Sequence, residues 1–277
     1  MKKALSLPCW CLGGFLLVFG SLAAWADPIR ISGTGAGISA MKQVTETYRQ
    51  QHPDSQVQFL TPPMGSSGAI KAVTNRQLDV ALTGRPLKKE EESANLVQEW
   101  LGRSPFLFVV HQNAPVTHIT LAQVIDMYAG RQKTWPDGSR VRVVLRPETD
   151  ADTGLLKSIS PAMAGAVTTA HAQRAPGSAL ADTDVDLVDT VEKIPGGLGA
   201  VALSIILAEH RPLKGLILDG REPTVAALES NRYPYFKPLY LVTRRDASPS
   251  LRALAGFLRS EEGEARLLQL GISTTQR

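Results

Sequence analysis

Three stretches of this chain combine glycine with small or hydroxyl residues in a way that suits anion binding. They are Gly33-Thr34-Gly35-Ala36-Gly37, Gly65-Ser66-Ser67-Gly68 and the segment after Arg146. Each follows a β-rich run and opens an amphipathic one. At such a junction the first N–H groups of the helix have no intrahelical acceptor, and the helix dipole adds partial positive charge, so an oxyanion is favoured there. Small residues let a ligand approach the backbone, and Ser or Thr hydroxyls add donors. The plainer alternative is that each turn only joins a strand to a helix.

Other chemistries have little support. The five histidines, His52, His111, His118, His171 and His210, are scattered with no His-x-x-x-His pair, and zinc chemistry gets no motif. No Gly-x-Ser-x-Gly elbow presents a nucleophilic serine. Residues 33–38 read G-T-G-A-G-I, which lacks the third glycine of a dinucleotide fingerprint, and no Gly-Lys-Ser/Thr follows Gly68 to make a nucleotide phosphate loop. Asp150 and Asp152 suggest a metal or acid pair, or else turn and N-cap residues, and the second reading is preferred.

The elements that would carry these turns alternate. Residues 29–32, 56–60, 79–83 and 106–110 read as strands; 39–51, the stretch through Ile70 and Val73, and 88–101 read as helices. Beyond them, 121–128 is a helix stopped by Gly130, 140–145 a strand, and Asp152 or Thr153 caps the next helix. Residues 175–182 read as a loop, 185–194 as a helix ended by Pro195-Gly196-Gly197, and 199–203 and 216–219 as short strands. A strand at 237–242 and helices at 249–258 and 261–270 complete the chain. This alternation predicts an α/β fold with parallel sheets covered on both faces. No internal repeat or Pro/Ser linker appears, so two lobes would share a chain that crosses between them more than once.

Composition agrees. With 277 residues, 43% apolar and 20% charged, the chain is long enough for two domains and is not a disordered type. Lys2 and Lys3, an apolar stretch over 9–24 and Ala24-Trp25-Ala26 before Asp27 describe a secretory signal peptide, residues 1–26, cleaved after Ala26. Glycines and a serine interrupt the stretch, which is short for a membrane anchor. Cys9 and Cys11, the two cysteines, leave with it, so the exported chain relies on its core rather than on disulfides. A formal charge of +4, part of it in the signal, is no nucleic-acid footprint.

An ordered set of short motifs then becomes specific. Gly33-Thr34-Gly35, His52-Pro53-Asp54, Gly65 through Ile70, and Leu78 through Leu87 resemble the opening of the phosphate-binding proteins of phosphate ABC importers. The resemblance continues at Ile125 through Gly130 with Trp135, at Arg146-Pro147-Glu148, at Pro195 through Gly199, at Tyr233-Pro234 with Leu239-Tyr240, and at Phe257 through Gly263. It implies a two-lobed type II periplasmic-binding-protein fold, each lobe a mainly parallel sheet flanked by helices. Lobe one would hold 27–112 and return over 237–277; lobe two would be 113–236. The strands at 106–110 and 237–242 would be two hinge crossings.

By the same resemblance the ligand would meet Thr34, Gly35 and Ala36 at the first turn and Ser66 and Ser67 at the second. Thr83 and Gly84 would follow from the strand at Asp79, and Arg146 and Thr153 from lobe two. Arg146 is the foremost of these, because its guanidinium fork matches an oxyanion bidentately. A salt bridge to Glu148 or Glu192 is its structural alternative, and Arg85 and Asp79 are read as structural. The chain departs from the family pattern at Gly35, Ala36, Gly84, Asp150 and Asp152. The implied protein is a periplasmic, monomeric, non-enzymatic binder without cofactor or metal. It captures a small oxyanion, phosphate first, by lobe closure and delivers it to an ABC-type permease. The alternatives are tungstate, molybdate or sulfate in the same fold, a sensory protein that touches a receptor, and a phosphatase-like hydrolase using Ser66 or Ser67.

Overall fold

The computed structural model describes residues 27–92, 95–173 and 178–276, so the expected signal segment lies outside the described residues. The first part runs β1 (Ile29–Gly33), α1 (Gly35–Gln51), β2 (Val57–Phe59), α2 (Gly65–Thr74), β3 (Val80–Thr83) and β4 (Leu96–His111). The middle holds β5 (His118–Ile119), α3 (Leu121–Tyr128), β6 (Arg142–Leu145), α4 (Ala151–Ile159), α5 (Pro161–Gln173), β7 (Ala179–Leu180), α6 (Asp184–Lys193), β8 (Gly197–Ala202) and α7 (Leu203–Glu209). The last part is β9 (Leu213–Gly215), β10 (Ile217–Leu218), α8 (Val225–Glu229), β11 (Phe236–Arg244), α9 (Pro249–Leu258) and α10 (Glu261–Gln269).

The strands follow the order β2-β1-β3-β11-β4-β8-β6-β7, with β9 also on β4. Pairing is parallel around β1 and around β6, and antiparallel wherever β4 or β11 takes part. The 16-residue β4 belongs to both lobes. Its residues from Leu96 to Pro105 pair with β11, and those from Phe106 to Val109 pair with β8. The first lobe is therefore β2-β1-β3-β11 with the early half of β4; the second is β8-β6-β7 with its later half.

The expected helix over 88–101 is corrected here: Leu96–Leu101 is strand. Leu96, Val97, Trp100 and Leu101 fit helical spacing. Cross-strand pairing with β11 from Leu96↔Arg244 to Trp100↔Tyr240 takes precedence, and Trp100 packs edge-on against Tyr240. The strand at 106–110 stands, and its uninterrupted apolar run is buried on both faces. Helices α5 and α7 occupy segments given no element from the sequence, and Ala179–Leu180, within the expected loop, pairs with β6.

Each lobe has its own core. Ile31, Met41, Val44, Tyr48, Leu82, Leu241 and Leu258 fill the first; Phe106, Phe108, Val124, Tyr128, Leu198 and Tyr233 fill the second. Each such side chain contributes roughly 1.5–3 kcal/mol on burial. The motif around Gly130 and Trp135 is part of this packing. Trp135 Nε1 donates to the Gly196 carbonyl at 3.1 Å. Gly196 has φ +72°, and a Cβ there would sit 2.0 Å from the Arg140 carbonyl oxygen, so only glycine passes. Where the chain crosses between lobes, the buried Tyr233 hydroxyl donates to the Phe106 carbonyl at 2.8 Å.

Candidate functional site

The first turn leaves β1 beside β3, where the Thr34 N–H donates to the Leu82 carbonyl at 2.9 Å. Thr34 is the N-cap of α1, yet its side chain does not cap that helix. Its hydroxyl donates instead to Asp184 Oδ2 at 2.6 Å, and the Ala36 N–H donates to the same oxygen at 3.2 Å. A helix N-terminus is thus holding an oxyanion, as expected of its unpaired N–H groups, and that oxyanion is a side chain of the chain itself.

Asp184 is the first residue of α6. Thr183 and Asp186 already form the reciprocal cap of that helix, which leaves Asp184 free to turn toward the first lobe. Lys237, near the start of β11, donates to Asp184 Oδ1 at 2.8 Å and lies 2.6 Å from Asp152 Oδ1. Lys237 keeps 4% of its side-chain exposure and each aspartate 1%. Arg146 follows β6, at the carboxyl end of a parallel strand, where open α/β sheets place ligands. Its Nη2 donates to Asp150 Oδ2 at 2.8 Å. Asp150 is also the N-cap of α4, accepting from the Asp152 N–H at 2.9 Å. The remaining guanidinium nitrogens, Nε and Nη1, are buried and have no hydrogen-bond acceptor among the described residues.

The electrostatics of the cluster follow from burial and from these partners. Burial would raise the Asp184 carboxyl, but Lys237 and Arg146 outweigh it and hold Asp184 well below the usual carboxylate range. Burial, helped by Asp184 and Asp150, pushes the Asp152 carboxyl well above that range despite Lys237. Burial would lower Lys237 and Arg146, yet the surrounding aspartates raise both. Two cations, Lys237 and Arg146, therefore share one buried group with the carboxyls of Asp184, Asp150 and Asp152.

The second turn is built differently. Ser66 Oγ accepts from the Gly84 N–H at 3.0 Å, and Ser67 Oγ accepts from Arg85 Nη2 at 2.9 Å. Arg85 also pairs with Glu91, and the Thr83 hydroxyl donates to the Arg85 carbonyl at 2.8 Å. Ser66 and Ser67 line one wall of a cleft of about 390 Å³, opposite Pro147, Thr149, Asp150 and Asp182. The Thr153 hydroxyl is turned back on its own loop, 2.9 Å from the Pro147 carbonyl.

The structure therefore gathers Thr34, Gly35, Ala36 and Arg146 around one aspartate. Gly84 lies beside Lys237, and Ser66, Ser67 and Thr83 bond within the second turn. Asp150 is a cap, as expected, but Asp152 is a buried partner of Lys237 rather than the cap proposed for α4. Arg146 pairs with neither Glu148 nor Glu192; its partner is Asp150, and Glu192 bonds to Arg211. Asp79 pairs with Arg30, in keeping with its structural reading. Lys237 and Asp184 were missed. A lysine opening the apolar run Lys237–Val242 was the available signal, because a buried ammonium needs a partner.

The PBP superfamily domain matches residues 22–262 of this chain. The chain belongs to the PBP superfamily. Its fold is the two-lobed α/β arrangement of type II periplasmic binding proteins. It is 22% identical to the phosphate-binding protein PstS of Borreliella burgdorferi over 224 residues, 76% of this chain and 78% of that protein. It is 23% identical to phosphate-binding protein PstS 2 of Streptococcus pneumoniae, a match that spans 36% of that relative's length and 39% of this chain. Among solved structures, one from Clostridium perfringens, assigned as a phosphate ABC transporter substrate-binding protein and holding phosphate, superposes with a TM-score of 0.76. It shares 21% identity, with 90% of this chain and 100% of that one covered. Members of the superfamily thus share this scaffold, and the residues lining the cleft decide the ligand.

Proposed function

We propose that this protein is the substrate-binding component of an ABC-type importer, taking a small oxyanion, phosphate first, between its lobes. The observation that carries this reading is Arg146, whose Nε and Nη1 are buried without an acceptor beside a helix N-terminus already holding a carboxylate. Buried guanidinium donors favour an acceptor strongly, and an oxyanion supplies one with matching fork geometry. The phosphate-bound relative in the same fold points to the same ligand class. Thr34, Gly35, Ala36 and Arg146 would meet the anion, with Ser66, Ser67, Thr83, Gly84 and Thr153 around it. In this reading 27–112 and 237–277 move as one lobe against 113–236, hinged near Phe106 and the start of β11. The protein acts after export by its signal segment, as a monomer without cofactor or enzymatic activity, and hands the anion to a membrane permease.

Calorimetric titration with inorganic phosphate, sulfate and tungstate tests the proposal. Saturable binding of phosphate, tighter than of the other two, is expected. Arg146→Ala should weaken phosphate by about 2–4 kcal/mol, or about 30- to 1,000-fold, because a desolvated anion loses its charged partner. Equal phosphate binding by parent and variant would move the site elsewhere, and no binding of any of the three anions at millimolar concentration would overturn the ligand class.

A further inference from the structure

The positions at which this chain departs from its family pattern are organised around one side chain. A Cβ on Gly35 would lie 3.0 Å from Asp184 Cβ and 3.2 Å from Oδ2, so the bare backbone there admits the aspartate. A Cβ on Gly84 would lie 2.8 Å from Lys237 Cε, so a larger residue would crowd the lysine that grips Asp184. Ala36 brings no hydroxyl and offers its N–H to Asp184 Oδ2. Asp152 and Asp150 hold Lys237 and Arg146 from the second lobe. Small residues on one lobe and carboxylates on the other fit each other.

The bonds of Asp184 to Thr34, Ala36 and Lys237 all pass from the second lobe to the first. They use the donors that an anion between the lobes would use. The charge count makes joint occupancy unfavourable. Lys237 and Arg146 already face three acidic side chains, and a phosphate beside the Asp184 carboxylate would add further negative charge to a buried site. If Asp184 swings out, the Thr34 hydroxyl, the Ala36 N–H and the Lys237 ammonium each lose that acceptor and can take an incoming anion in its place.

We infer that Asp184 is a tethered oxyanion: its carboxylate occupies the cradle at the α1 N-terminus and closes the cleft, and a free anion must displace it to bind. This rests on the reading of the cleft as an oxyanion site and adds how that site is controlled. It makes Asp184 a determinant of affinity and of the resting state. A protein whose competent state is a minor fraction shows an apparent dissociation constant raised by the inverse of that fraction. Removing the tether therefore tightens binding while loosening the unliganded molecule, two effects that an ordinary structural ion pair does not produce together.

The test compares the parent protein with Asp184→Ala by calorimetric titration of inorganic phosphate at neutral pH and by small-angle scattering with and without phosphate. The variant is expected to bind phosphate at least tenfold more tightly than the parent. Without phosphate it should show a larger radius of gyration, falling back to the parent value on saturation. Asp184→Asn, which keeps the side-chain size and removes the charge, undergoes the same measurements if the alanine variant does not fold. A variant that expands while neither protein binds phosphate upholds the tether and overturns phosphate as the ligand. A variant with the parent's unliganded radius overturns the tether whatever the ligand proves to be, and so does phosphate affinity equal to or below the parent's where the parent binds phosphate.

Discussion

At the first turn Thr34 and Ala36 donate to a carboxylate about 150 positions away in the chain, whereas at the second Ser66 and Ser67 accept from Gly84 and Arg85, 18 positions away. Both turns carry glycine and hydroxyls at the start of a helix. The difference lies in what faces them. The first turn meets Asp184, brought across by α6 and buried with Lys237. The second lines a cleft of about 390 Å³ and is bonded to its own lobe. A glycine-rich helix start is therefore a capacity for anions, and the long-range partner decides whether that capacity is spent internally.

Cation removal should separate the turns most widely. Lys237→Met leaves the Asp184 and Asp152 carboxyls buried without their ammonium, and breaking a buried pair of this kind costs about 3–5 kcal/mol. Arg85→Met removes the cation of the second turn, whose pair with Glu91 is partly exposed, with 18% and 16% side-chain accessibility. About 1 kcal/mol or less is expected there. Urea unfolding of both variants checks the contrast, and equal losses would show that the Lys237 cluster is not the stronger of the two.

Acid should sharpen the same contrast. The Asp184 carboxyl is held well below its unfolded value of about 3.9, so its stabilisation is present above that pH and is lost as pH falls toward the folded value. Asp152 runs the other way. Its raised value favours folding in acid, and that contribution is lost as pH rises through the folded value. Glu91 at the second turn is lowered as well, by its hydrogen bond from Arg85. Between pH 5 and about pH 3 the Asp184→Asn variant should therefore lose less stability than the parent, read as the difference between their urea midpoints. Glu91→Gln should flatten the curve less than Asp184→Asn does, and the reverse order would contradict the burial argument.

What the amino-acid sequence disclosed follows the range of the interactions. Strand–turn–helix order, the apolar run at 106–110 and the stop at Gly130 depend on neighbours a few residues apart, and they were legible. The strand Leu96–Leu101 was not, because its apolar spacing also fits a helix and only pairing with β11 decides between them. Arg146 was reached through the family resemblance, but the identity of its partner was not. Asp184 and Lys237 are 53 positions apart and meet only after both lobes are built. Asp184 also stands beside a complete Thr183–Asp186 cap, which explains the local acidic residues without needing it.

The smallest effects test the second turn alone. Ser66 Oγ is the acceptor for the Gly84 N–H, and Ser66 is buried at 7% exposure. Ser66→Ala leaves that N–H without its partner, and an unsatisfied buried donor costs about 1–3 kcal/mol. Ser67 accepts from Arg85, but this bond is solvent-exposed and Arg85 keeps its two bonds to Glu91. Ser67→Ala should therefore change stability by no more than about 0.5 kcal/mol, as surface substitutions usually do. The two serines are adjacent and chemically identical, so the difference isolates burial from residue type. Unfolding midpoints measured side by side decide it. A Ser67→Ala loss as large as that of Ser66→Ala would mean that Arg85 depends on the serine, and that the second turn is as tightly engaged as the first.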